Sequence, residues 1–214
     1  MMFTIRSGSM TAVIDSVGAQ LMSLQSVDGT QYLWLGDPKY WPDRSLTIFP
    51  YVARLTDGCY RYRGELYHMP IHGFAPTAEF SVAEQTDAAI TFVLESCPAF
   101  YEQYPFLFRY SIRYRLENAT LHVEITVENK DEKTMHFGLG GHPGINVPLE
   151  DGLRFEDYVI EVPPCQPRRM EFTPACFITG RELPFPMECT QLPLSHHMFD
   201  EDAIVLNGIP GEVT

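Results

Sequence analysis

The sequence predicts an antiparallel all-β protein, a sandwich or a barrel. Three observations carry this. Apolar and polar residues alternate with period two over several runs, turn-forming residues separate those runs, and no stretch of a dozen residues shows a 3.6-residue period. In chain order, Ile90, Phe92 and Leu94 share one face of a strand. From Arg109 to Leu116 the even positions are apolar and the odd ones polar. The next run reverses parity, with Leu121, Val123, Ile125 and Val127 on one face. Glu117-Asn118-Ala119 lies between the two runs, so the pair reads as a β-hairpin. Tyr158–Val162 and Ala203–Leu206 are the remaining strand candidates. Asp28-Gly29, Asp57-Gly58, Asn129–Glu132 and Asp151-Gly152 supply turns. The proline-rich stretch Val162–Pro167 reads as a loop between strands rather than a domain boundary.

The chain has 214 residues, a length that suits one β domain. Its 14 Phe, 11 Tyr and 2 Trp exclude a solvated coil. With 15 Lys and Arg against 28 Asp and Glu, the net charge is −13, which argues against a nucleic-acid or anionic-membrane binder. The five cysteines include no CxxC pair, so free thiols in a reducing cytoplasm are expected. The first residues lack a basic segment followed by an apolar run, and nowhere do about 18 apolar residues run together. A soluble, cytoplasmic protein is the expectation.

Two histidines stand in glycine-rich contexts: His72 in Ile71-His72-Gly73-Phe74-Ala75, and His142 in Gly140-Gly141-His142-Pro143-Gly144. Small neighbours let a ligand approach, and imidazole titrates near neutral pH, which suits general acid–base work. His68 and His72 are four apart, but Pro70 forbids the helix that would make them a zinc pair. His122, His136 and His196-His197 read as solvated strand or loop residues, so no metal site is expected. Arg109, Arg113 and Arg115 line one strand face, which reads as solvated. The aromatics Trp34, Tyr40, Trp41, Phe49 and Tyr51 have the shape to stack on sugar rings, although core packing accounts for most such residues.

Several segments, in order, resemble the aldose 1-epimerase (galactose mutarotase) superfamily, and within it the LacX-like subgroup. They are Gly18–Leu24, Trp34–Trp41, Phe49–Leu55, His72–Ala75, Phe137–Gly144 with Asn146 and Pro148, and Phe199–Val205. The resemblance implies a large antiparallel β-sandwich whose concave face binds a small-molecule aldose, with no metal or organic cofactor. It implies interconversion of α and β anomers by acid–base ring opening and closure. By carry-over, His142 is the acid at the ring oxygen, His72 orients the same region, Arg54 holds sugar hydroxyls, and Asp202, preferred over Asp200, binds further hydroxyls.

Two positions depart from the family pattern. Pro76 stands where an arginine usually follows the His-Gly-Phe-Ala segment. The family's catalytic base is a Glu in a late Glu-Pro segment, and Gly211-Glu212-Val213-Thr214 does not provide one. The expectation is therefore a single domain over 1–214, incomplete at its C-terminus and lacking its last strands and its base. Three alternatives stand beside the epimerase: a non-catalytic sugar-binding or sensing module, a hexose-6-phosphate 1-epimerase, and an inactive fragment whose open sheet edge invites pairing into a homodimer.

Overall fold

The computed structural model describes residues 1–185, 190–200 and 203–210. It divides into two compact units, Met1–Asn146 and Val147–Thr214. In the first, β1 (Met2–Arg6), β2 (Met10–Asp15) and β3 (Leu21–Ser26) form an antiparallel sheet. Next come β4 (Ser45–Ile48) and a hairpin of β5 (Cys59–Tyr62) and β6 (Glu65–His68). A four-stranded antiparallel sheet follows, from β7 (Ser81–Gln85), β8 (Ala89–Glu95), β9 (Phe108–Glu117) and β10 (Thr120–Asn129), with β10 and β7 at its edges. A short helix, α1 (Pro98–Gln103), joins β8 to β9, and β11 (Gly140–Pro143) pairs with β4. The second unit holds β12 (Val159–Glu161), β13 (Arg168–Phe172), β14 (Ile178–Pro184), β15 (Gln191–Pro193) and β16 (Leu206–Asn207). They form two antiparallel sheets, β12-β15 and β14-β13-β16.

The all-β expectation holds, and the alternation holds residue by residue on β9, while on β10 it is weaker, with Val123 of the apolar face exposed. Phe108, Tyr110, Ile112, Tyr114 and Leu116 of β9 are all buried. In the register, Leu121 faces Leu116, Val123 faces Tyr114, Ile125 faces Ile112 and Val127 faces Tyr110. Asn118 turns the hairpin at φ 53°, a left-handed conformation that asparagine tolerates. The arginine face of β9 is half-buried rather than fully solvated: Arg109 pairs with Glu95 and Glu128 and Arg115 with Glu117 and Glu124, whereas Arg113 Nε is buried without a hydrogen-bond partner among the described residues. The proline-rich segment is a loop between β12 and β13, and the division between units falls earlier, after Asn146.

Two local expectations need correction. The strand expected at Ala203–Leu206 starts only at Leu206. Helix α1 was not foreseen, because six residues are too few to display a 3.6 period; Pro98 at its first turn supplies the preset φ. Among the described residues, no helix is long and apolar enough to cross a membrane.

The core of the first unit lies between β1–β2 and β8–β9, where Phe3 meets Phe92 edge to face at 5.5 Å. Phe49 stands at its centre, stacked on Tyr110 at 4.5 Å and edge-on to Phe108 at 5.2 Å. The Gly18-Ala19 turn locks onto this core. The Tyr114 hydroxyl donates to the Ala19 carbonyl at 2.8 Å, and a Cβ at Gly18 would lie 2.6 Å from the Pro76 carbonyl oxygen. Tyr114→Phe therefore leaves a buried carbonyl unpaired. It is expected to cost about 1–3 kcal/mol, read as a lower urea midpoint with unchanged slope.

Candidate acid–base site

The site begins with Gln20, at the end of the Gly18-Ala19 turn. Its Oε1 accepts from the amides of Arg44 at 3.1 Å and Ser45 at 3.3 Å, which sets the start of β4. Strand β4 in turn receives β11, with His142 opposite Leu46. His142 is solvent-exposed. The chain after it is clamped by Gly144, whose amide donates to the Arg44 carbonyl at 2.7 Å and whose carbonyl accepts from the Trp34 amide at 2.9 Å.

His72 reaches the same place from a different element. Phe74 is buried, stacked on Phe100 at 4.4 Å, and anchors the loop in the core. Gly73 at φ 77° passes so close to Phe49 that a Cβ would lie 2.2 Å from its carbonyl oxygen. His72 itself sits at φ 64°. It clasps Ala53 from both sides: its amide donates to the Ala53 carbonyl at 2.9 Å, and the Ala53 amide donates to Nδ1 at 3.2 Å. Because Nδ1 accepts, neutral His72 carries its proton on Nε2.

The two imidazoles lie 5.4 Å apart, centroid to centroid, at 66°. Residues 70 positions apart in sequence thus form one cluster. Arg54 directly follows Ala53, is exposed, and among the described residues has no hydrogen bond or ion pair on its guanidinium. Asp202 lies outside the described residues. Asp200, the alternative, is described and approaches His197 Nδ1 at 3.2 Å. Trp41, one of the aromatics for which the sequence left both sugar stacking and core packing open, has its ring 5.0 Å from that of His142. The Trp34–Trp41 motif was the available signal.

Burial lowers the pKa of His72, and the neighbouring His142 lowers it further. The sign follows directly. Below the unfolded value of 6.5 the unfolded state binds more protons than the native one, so stability falls as pH drops from 6.5 through the native pKa. Above 6.5 both states are neutral and the effect vanishes. The denaturation midpoint should therefore fall less between pH 7 and pH 5 in His72→Asn than in the parent chain. Equal slopes would refute the assignment.

Among the described residues, no group of three His, Cys, Asp or Glu side chains converges as metal ligands would. Two apolar concavities of about 540 and 730 Å³ also occur in this unit, and neither is lined by His72, His142 or Trp41. Of the two imidazoles His142 is exposed and His72 half-buried. What the arrangement offers is two imidazoles and a free guanidinium on rigid turns: one proton donor, one fixed hydrogen-bond donor and one fork for vicinal oxygens.

This fold and this pair of histidine turns define a class. The aldose 1-epimerase family profile matches residues 1–182, and the chain belongs to that family. Among curated relatives, the plasmid-encoded protein LacX of Lactococcus lactis is 30% identical over 219 residues, covering 97% of this chain and 72% of LacX. A galactose mutarotase related enzyme from Lactobacillus acidophilus superposes with a TM-score of 0.90 at 32% identity, over 96% of this chain and 69% of that one. A galactose mutarotase-like protein from Lactobacillus casei gives a TM-score of 0.89 at 32% identity, over 96% and 71%. The antiparallel β architecture is that of the galactose mutarotase-like fold.

Proposed function

We propose that the protein is an aldose 1-epimerase that equilibrates the α and β anomers of a neutral hexose. The observation that carries this reading is the His72–His142 pair, 5.4 Å apart, on a family scaffold. His142, the exposed imidazole, gives its proton to the ring oxygen as the bond from that oxygen to C1 breaks. The C1 hydroxyl loses its proton to a general base, and C1 becomes an aldehyde carbon. Rotation about C1–C2 presents the other face. The ring oxygen then attacks C1, returns its proton to His142, and the base reprotonates the new hydroxyl. His72, neutral and with its proton on Nε2, donates a hydrogen bond to the ring-oxygen region. Arg54 supports hydroxyls through its planar fork. Arg44, the preceding arginine, has Nη1 committed to the Met22 carbonyl at 2.8 Å, which favours a neutral sugar over a sugar phosphate.

Asp202 is proposed to bind further hydroxyls. Among the described residues neither imidazole is ion-paired with a carboxylate. That observation, with Pro76 in place of arginine, favours a second reading: a sugar-binding module on the same scaffold. Polarimetry separates the two. Freshly dissolved α-D-galactose or α-D-glucose should equilibrate faster with protein than in buffer. Calorimetric binding without any acceleration, across a panel of aldoses, would select the binding module instead.

A further inference from the structure

A proton donor must be aimed as well as present. His72 is aimed by the Ala53 amide on its Nδ1. His142 differs: it is exposed on β11, and among the described residues no hydrogen bond or ion pair fixes its imidazole. Its ring neighbours are His72 at 5.4 Å and Trp41 at 5.0 Å, the latter tilted by 47°.

The Trp41 backbone is itself held at both its amide and its carbonyl. The Asp37–Trp41 loop closes on itself, with the Asp37 amide donating to the Trp41 carbonyl at 3.1 Å and the Trp41 amide to the Asp37 carbonyl at 2.8 Å. The indole Nε1 of Trp34 donates to the same Trp41 carbonyl at 2.9 Å. Against the Trp41 ring lies Gly144, two residues beyond His142. A Cβ there would stand 2.9 Å from Trp41 Cζ3 and 2.9 Å from Trp34 Cβ. Glycine is thus needed at 144 for the indole to reach its place, although the backbone there does not adopt a positive φ. Nor is Trp41 packed against the hydrophobic core. It is half-buried, outside the core and directed at the exposed histidine.

We propose that Trp41 is the positioning residue for His142: the indole, seated by the missing side chain of Gly144 and the Trp34 bond, sets the imidazole's angle. The inference rests on the epimerase reading for its chemical meaning, since that reading makes His142 the acid at the sugar ring oxygen. Misaiming a proton donor by an ångström or so costs rate far more than affinity. Trp41 therefore acts on kcat through His142.

The test uses the full chain with Trp41→Ala, Trp41→Phe and Gly144→Ala, each checked for folding by its thermal transition. Two readouts are taken: polarimetry of α-D-galactose, giving kcat and KM, and the NMR resonances of the His142 ring. Trp41→Ala should lower kcat on the order of 10–100-fold with KM changed less than about threefold. It should also shift the His142 ring resonances out of the indole ring current while leaving His72, held by Ala53, in place. Trp41→Phe restores a flat ring and should recover most of kcat. Gly144→Ala keeps both tryptophans but displaces the indole, so it should move kcat and the His142 resonances in the same direction as Trp41→Ala; it also keeps the test open if Trp41→Ala does not fold. Unmoved His142 resonances in both Trp41→Ala and Gly144→Ala would overturn the proposal, as would unchanged kcat in both. Because the resonances are read without turnover, a parent chain that accelerates no aldose refutes the epimerase reading separately.

Discussion

His142→Asn is expected to lower the kcat for anomer interconversion on the order of 10²–10⁴-fold while changing sugar affinity far less. Asparagine keeps a polar, planar group of similar reach but has no proton to give at neutral pH. The substitution should leave the fold intact, because His142 is exposed and its pairing with Leu46 runs through the backbone. Progress curves of optical rotation at saturating and sub-saturating sugar separate kcat from KM, and calorimetry gives affinity directly. A variant with the parent's kcat would remove His142 from the acid role. One with intact kcat but tenfold weaker binding would make it a sugar ligand instead.

Gly73→Ala carries the second large effect, and it acts on folding. The left-handed φ of 77° penalises any side chain by roughly 1–2 kcal/mol. The close approach is the larger matter. A Cβ would lie 2.2 Å from the Phe49 carbonyl oxygen, 2.5 Å from its carbon and 2.6 Å from Pro50 N. Those are backbone atoms at the centre of the core, where Phe49 is fully buried, so relief requires moving the core. Overpacking of this kind adds roughly 1–3 kcal/mol, for an expected total of about 2–5 kcal/mol. Native stabilities are roughly 5–15 kcal/mol, so the loss should show as a sharply lower chemical midpoint. Gly29→Ala is the control. Gly29 has φ 94° but nothing within 4 Å of a would-be Cβ, so only the backbone cost applies. Equal losses in the two variants would refute the close-packing argument.

The two predictions meet in the architecture. Gly73 lets the His72 loop lie flat on Phe49, Phe74 pins it, and the Ala53 clasp turns the imidazole outward. On the other side, Gln20, β4 and Gly144 set β11 and hence His142. Both histidines are carried by segments tied to the core, as a site that must hold its geometry requires.

Periodicity was sufficient for the strands that alternate strongly. The β9–β10 hairpin, its turn at Asn118 and the buried parity of Tyr110 to Leu116 were all legible, because one apolar face and one polar face leave a period-two signature. Helix α1 was not legible, being shorter than two turns. Neither was the start of β16 at Leu206, since Ala203, Ile204 and Val205 have strand composition too.

For the site, sequence alone determined the residue types and their settings: two histidines beside glycines, an arginine after a proline-bearing segment, and the ordered motifs of the family. Those are local properties, written in adjacent residues. Only the tertiary structure decided that His72 and His142 stand 5.4 Å apart, that Ala53 fixes the tautomer of one, and that Trp41 lies against the other. Each of these relations joins residues far apart in the chain. Their distances follow from strand pairing and from how closely Gly73 and Gly144 let neighbouring backbone and rings approach, which no local pattern encodes.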